Sequence, residues 1–177
     1  MGSQPVEGPS LLALFFYGTL KRGQINHDRF CRGYARAAQA TVRGRLYDLP
    51  FGFPAIVVPR EDVRATGTTN PLADAAAQQR RADGVEHPKT APRVSGELLV
   101  FDDFDERLPA LDRFEDFDPE IGNGLYRRVL VPVVTRETSV LAWVYAIERP
   151  SGVHLPDGRW PREGYISGRA DNRPAPR

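Results

Sequence analysis

The sequence predicts an α+β fold: a small closed mixed β-barrel of about six strands, flanked by short helices. Three observations lead there. Short apolar or alternating segments recur at strand length, punctuated by Gly- and Pro-containing turns. Only two stretches, near residues 26–37 and 105–115, show helical spacing. The resulting order, β-α-β-β-insertion-β-α-β-β, is an α+β pattern, and so many short strands leave edges that closure into a barrel removes.

The first strand is the organising stretch. Leu11 to Tyr17 is unbroken apolar sequence ended by Gly18-Thr19, the pattern of a strand buried on both faces. Gly18 has no Cβ, so the backbone past the strand can approach a ligand closely. Thr19 adds a hydroxyl, and Lys21-Arg22-Gly23 continues the turn with charge. A carbonyl or carboxylate fits against such a loop.

Asn26 to Ala37 predicts a short helix, with Asn26 as N-cap and Phe30 and Tyr34 on one face. Thr41 to Leu49 alternates and reads as a half-buried strand. The turn from Asp48 to Pro54 leads into a short strand, Ala55 to Val58, closed by Pro59.

Arg60 to Arg93 lacks sustained apolar periodicity. It is expected to be a mobile insertion at about 61–93, with too few large apolar residues to build a core and at most one or two turns of solvated helix over Ala73 to Ala82. Val94 to Phe101 is the next strand. A helix then follows with Asp105 or Glu106 as its cap, Pro109 near its first turn and Leu108, Leu111 and Phe114 on one face. Glu115, one turn beyond Leu111, lies beside that inward face. After a loop to Gly124, Tyr126 to Val134 and Val140 to Ile147 are the last two strands. Everything from Glu148 reads as loop. The domain map is therefore a flexible arm over 1–10, one domain over 11–160 and a polar tail over 161–177.

Composition narrows the function. The chain has 177 residues, enough for one domain with a core that needs no disulfide or metal. Cys31 is the single cysteine, so a disulfide framework is excluded and a reducing compartment is permitted. A formal charge of +1 provides no footprint for nucleic acid or an anionic membrane. No apolar run approaches the ~20 residues of a membrane span, and Met1 to Ser10 lacks the basic and apolar regions of a signal peptide. The expectation is a cytoplasmic protein, a monomer or weak dimer, that handles a small molecule.

Several motifs then fall in register: Tyr17-Gly18-Thr19-Leu20 with Gly23 and Asn26-His27; Leu46 to Pro50 with Phe53-Pro54-Ala55; Gly96-Glu97-Leu98; Leu111 to Glu115; Tyr126-Arg127-Arg128; Ala142 to Tyr145; and Gly158-Arg159-Trp160. In this order and at these spacings they resemble the γ-glutamylcyclotransferase family, in particular its YGTL branch of γ-glutamylamine cyclotransferase-like and AIG2-like proteins. The resemblance spans about Leu11 to Trp160. It implies a small mixed barrel that releases 5-oxoproline from a γ-glutamyl substrate. It places Glu115 at the position of the catalytic glutamate, Tyr17, Gly18, Thr19 and Leu20 in the loop that holds the glutamyl moiety, and Tyr126 at a tyrosine lining that pocket. Two departures stand out: the long insertion, and Leu99 where a tyrosine commonly follows Gly-Glu-Leu.

The chemistry suits such residues. In a γ-glutamyl amide the substrate's own α-amine attacks its γ-carbonyl, so the protein has to fold the chain and move protons. One carboxylate can serve as base and then as acid. Phe114 and Phe117 beside Glu115 would desolvate it and raise its pKa toward that dual role. A Gly-Thr turn can supply N–H donors for the oxyanion. No metal, nucleotide or organic cofactor is required.

Other readings of the same residues are blander. Asp112 is expected to pair with an arginine, Glu97 to hold an arginine or backbone groups, His27 to line the turn and Trp143 to be core. His27, His87, His154 and Cys31 lack metal-ligand spacing. Ser10, Ser95 and Ser139 lack a G-x-S-x-G context, and G-T-L-K-R-G is not a P-loop. The competing class is a non-catalytic ligand-binding or interaction module on the same fold. Within the enzyme class, removal of a γ-glutamyl protecting group in an antibiotic pathway is a further option, since the leaving amine is not legible.

Overall fold

The computed structural model describes residues 11–79, 90–149 and 151–161. They run β1 (Leu12–Phe16), α1 (His27–Phe30), β2 (Arg36–Arg43), β3 (Arg45–Asp48), β4 (Pro54–Val57), β5 (Ala65–Thr66), α2 (Pro71–Ala77), β6 (Arg93–Phe101), α3 (Phe104–Phe114), β7 (Arg127–Thr135), β8 (Ser139–Ala146) and β9 (Val153–Leu155). The expected arm over 1–10 lies outside the described residues, as does the tail beyond Pro161.

Five strands close a mixed barrel in the order β2-β6-β1-β8-β7, with β7 pairing back onto β2 from Ala40↔Thr135 to Val42↔Val133. β1 lies parallel to β8 and antiparallel to β6, so it is the seam between the two halves of the ring. That position explains its unbroken apolar sequence: every residue of β1 is buried. Alternate residues of all five strands, among them Phe15, Val42, Leu98, Val131 and Val144, form one core inside the barrel. The opposite parity, including Leu14, Phe16, Leu99 and Trp143, forms a second core with Leu108 and Leu111 of α3 on the outside. The period-2 side-chain alternation of a strand requires this division.

The remaining strands do not join the ring. The expected strand over 41–49 is divided at Gly44, with β2 in the barrel and β3 in a separate sheet of order β4-β3-β9. Leu46, Ile56 and Leu155 of that sheet pack into the inner core, so it closes over the barrel. β9, in residues read as loop, pairs with β3 through Leu46↔Leu155.

Helix spacing overreached at α1, which is a single turn from His27 to Phe30 and not a helix to Ala37. Gly33 adopts φ +80°, and Ala35 N–H bonds to the Val100 carbonyl at 2.7 Å, turning the chain into β2. α3 begins at Phe104 with Asp103 at the N-cap position, two or more residues earlier than a cap at Asp105 or Glu106 implies, and carries Pro109 inside it. Burial of Leu108 and Leu111 against the barrel outweighs the lost N–H.

The largest correction concerns the insertion. Its described part is not an unpacked loop: Arg60–Asp62 forms a 3-10 turn, β5 pairs with β7 at Ala65↔Leu130, and α2 packs against α3. Asp74 and Ala75 of α2 are buried. What the segment buries is two carboxylates, Asp62 and Asp74, and the methyl group of Ala75, which a search for large apolar residues passes over. Asn70 caps α2 by accepting from Ala73 N–H at 3.1 Å. Residues 80–89 of the expected insertion lie outside the described residues.

Asp74 is buried because Arg128 is. The Arg128 side chain is wholly enclosed, with Nη1 2.8 Å from Asp74 Oδ2, and Nε and Nη2 at 2.8 and 3.0 Å from the two Asp112 oxygens. Nη2 also donates to the Thr68 carbonyl. Trp143 Nε1 donates to the Asp74 carbonyl, which ties α2 to β8. The guanidinium lies so close to Gly67 that a Cβ there would meet Cζ at 2.6 Å. Because its partners pin that guanidinium, Gly67→Ala should destabilise the fold by about 1–3 kcal/mol, the usual range for overpacking. Chemical denaturation of the two proteins measures it.

Candidate active site

The end of β1 runs into the turn Tyr17 to Leu20, closed by Lys21 N–H to the Gly18 carbonyl at 3.2 Å and Asn26 N–H to the Thr19 carbonyl at 3.1 Å. Both bonds draw on carbonyl oxygens, so the turn is fixed without spending the N–H groups of Gly18 and Thr19 on them. His27 Nδ1 donates to the Leu20 carbonyl at 2.9 Å and holds the far side of the loop, as expected for a residue lining the turn. Lys21 Nζ donates to the Trp160 carbonyl. Burial pushes its pKa down, against an opposing pull from Glu97.

Glu115 caps the C-terminus of α3, its N–H bonded to the Leu111 carbonyl at 2.8 Å. Phe114 packs on Phe30 with ring centroids 4.2 Å apart, and Phe117 is buried on the other side. Glu115 itself is 8% exposed, a burial that is unusual for a carboxylate at a helix end.

These two elements meet. Tyr17, Gly18, Thr19 and Leu20, together with Glu115 and Tyr126, line one cavity, so the structure brings every sequence-predicted site residue to the same place. Phe53 and Pro54 before and at the start of β4 form the facing wall, and Tyr145 of β8 part of the floor. Gly18, Thr19 and Phe53 are the half-exposed members and therefore mark the mouth.

The two tyrosines named from the sequence use their hydroxyls on the scaffold. Tyr17 Oη donates to the Tyr145 carbonyl at 2.7 Å and accepts from Ile56 N–H at 3.3 Å, joining β1, β8 and β4. Tyr126 Oη donates to the Pro54 carbonyl at 2.8 Å. Both tie residues of the cavity lining to β4. The residue that sequence reasoning missed is Tyr145, whose hydroxyl donates to Asp112 Oδ1 at 2.7 Å. Its signal was present: in the alternation Trp143, Tyr145, Ile147 it is the member that carries a hydroxyl on the helix-facing parity.

The rival groups are placed elsewhere. Asp112 pairs with Arg128, as expected of a structural carboxylate. Glu97 accepts from Arg22 N–H at 2.8 Å, from the Arg22 side chain and from Gln39. Burial pushes its carboxyl up, but the bonds from Arg22 outweigh that and hold it below the usual range. Cys31 is buried and its thiol is pushed up to about 12, which makes it inert. Among the described residues no group of His, Cys, Asp and Glu side chains is arranged to hold a metal ion. None of their helices is long and apolar enough to cross a membrane.

Gly18 is where the site is least tolerant. A Cβ there would lie 2.7 Å from Pro54 Cγ, and the proline ring has little freedom to retreat. Gly18→Val should therefore push the turn from Pro54 and weaken binding of a small ligand in this cavity by about 10-fold or more, while circular dichroism shows a folded protein. Isothermal titration of both proteins checks it.

A family model described as "Gamma-glutamyl cyclotransferase, AIG2-like" matches residues 14–91 and 71–162. No curated protein shows a significant sequence match. Solved structures with the same fold include an AIG2-like protein from Mus musculus, at 20% identity and TM-score 0.54, with 92% of this chain and 99% of that one covered. YkqA from Bacillus subtilis is similar at 21% identity and TM-score 0.53. The match covers 85% of this chain but only 39% of the Bacillus protein's length. An Arabidopsis thaliana protein gives 21% identity and TM-score 0.50, with 90% and 83% covered. At these identities the likeness concerns the fold.

Proposed function

The chain belongs to the AIG2-like γ-glutamyl cyclotransferase family, and from that premise we propose that it releases 5-oxoproline from a γ-glutamyl amine, amino acid or isopeptide. The observation that carries the reading is the convergence of the Tyr17–Leu20 turn and the buried Glu115 on one cavity.

The reaction uses those groups in order. Glu115 takes a proton from the substrate's α-ammonium. The freed amine attacks the γ-carbonyl carbon, forming the ring C–N bond, and the carbonyl electrons move to oxygen. N–H groups of the Gly18-Thr19 turn stabilise that oxyanion. When it collapses, the bond to the leaving amine breaks as Glu115 returns the proton to the departing nitrogen. The ring nitrogen, which the attack left with one proton too many, gives that proton to the freed Glu115 carboxylate, from which it passes to solvent or to the released amine. The attack is intramolecular in the substrate itself, and the protein's part is to hold the glutamyl chain in the folded, near-attack shape. The cavity encloses about 350 Å³ of empty space, part of it open to solvent.

The test is a panel of γ-glutamyl amines, dipeptides and isopeptides incubated with the full chain, with 5-oxoproline quantified by chromatography. Release from any member supports the enzyme. If none is cyclised while 5-oxoproline still binds, the protein is a binding module on this fold.

A further inference from the structure

Tyr145 has a hydroxyl whose direction is fixed by its neighbours. Asp112 is held by both arms of a fully buried guanidinium and is therefore an ionised, acceptor-only carboxylate. The 2.7 Å contact between Tyr145 Oη and Asp112 Oδ1 can then have one polarity only: the phenol donates. Its single proton is committed, and toward the cavity its oxygen can act only as an acceptor. The phenol also keeps its proton at neutral pH, because burial, then Asp112, push it far above the ordinary tyrosine range.

Two acceptor-bearing residues, Tyr145 and Glu115, thus line one cavity. Asp112 and Glu115 are three residues apart at the end of α3, so the residue that orients Tyr145 and the buried carboxylate Glu115 share one helical turn. Tyr145 and Glu115 line the same cavity, which brings the phenol and the carboxylate to one place. A phenol oxygen restricted to accepting, beside a carboxylate, fits a cationic group with several N–H bonds.

We infer that Tyr145 Oη, oriented by Asp112 and Arg128, accepts a hydrogen bond from the α-ammonium of the γ-glutamyl substrate and aims its proton at Glu115. The inference rests on the function proposed above and adds a substrate contact to it. Tyr145 is then a substrate-binding residue, and Asp112 and Arg128 are positioning residues. The Arg128–Asp112 pair keeps the phenol from turning round and donating into the cavity, where it would repel the ammonium.

The experiment compares two ligands that differ only in the amine: a γ-glutamyl amide, and the glutaryl amide of the same leaving group, which has no α-nitrogen. Affinities are measured by competition against 5-oxoproline, independently of turnover, with Glu115→Gln used to stop cyclisation. The protein with Tyr145 should prefer the glutamyl ligand, and Tyr145→Phe should reduce that preference by about 10-fold or more, the size of a lost hydrogen bond to a charged group. Its affinity for the glutaryl ligand should stay unchanged. A structural role would weaken both ligands alike, and that outcome overturns the inference. So does an unchanged preference. In case Tyr145→Phe does not fold, 3-fluorotyrosine at position 145 keeps the hydroxyl, and its fluorine resonance should shift with the glutamyl ligand and not with the glutaryl one. Equal shifts overturn the inference. If neither ligand binds the unsubstituted chain, the proposed function fails first and this contact with it. Glutaryl and glutamyl ligands bound equally well leave the function standing and remove only the contact.

Discussion

Glu115→Gln is expected to lower 5-oxoproline release by about 10²-fold or more, the lower range for losing a general acid–base group. The amide keeps the size of the side chain at the end of α3, where the backbone bond to Leu111 does not involve the carboxylate. What it cannot do is take the ammonium proton, so the attacking amine stays protonated. Folding should be preserved, and so should binding of 5-oxoproline, because the Tyr17–Leu20 turn is proposed to hold that moiety. The readouts are initial rates on the best substrate of the panel, titration of 5-oxoproline and circular dichroism. A folded Glu115→Gln protein that cyclises its substrate at the original rate removes Glu115 from the mechanism.

Arg128→Met should have the largest effect on stability, a loss of about 3–5 kcal/mol, as when one partner of a buried ion pair is removed. Methionine approximates the length of the side chain but leaves Asp74 and Asp112 as buried carboxylates stripped of their shared cation. Protonation is the way left to discharge them. The folded variant then takes up more protons than the unfolded chain, so its stability should rise as pH falls and the deficit should shrink toward acid. Denaturation midpoints across pH check both size and sign. A deficit of less than 1 kcal/mol, or one that grows in acid, contradicts the role given to this pair. Replacing Arg128, Asp74 and Asp112 together by apolar residues should recover much of the loss, because no unpaired charge remains.

Local pattern was enough for β1, β6, β7 and β8 but showed only the end of β2, and the candidate residues took their roles from the family resemblance. β1 is legible because a strand flanked by two others, and covered on both faces, has to be apolar throughout. α3 is legible because Leu108 and Leu111 repeat at helical spacing, and Glu115 was placed beside them by the same count. The failures share a cause. β9 and β5 are too short to show a period and exist only because β3 and β7 offer edges to pair with. The helix expected to Ala37 stops at Phe30 because a distant carbonyl, that of Val100, takes the Ala35 N–H.

The sequence alone determined the composition of each barrel strand, the Gly-Thr turn that ends β1 and the carboxylate at the end of α3, since each depends on neighbours within a few residues. Only the tertiary structure decided that Asp74 and Asp112, 38 residues apart by their numbers, share the Arg128 guanidinium, and that Tyr145 therefore points its proton away from the cavity. Charge pairing and hydrogen-bond polarity depend on distance in space. Residues remote in sequence carry no periodic mark of the partner they will meet.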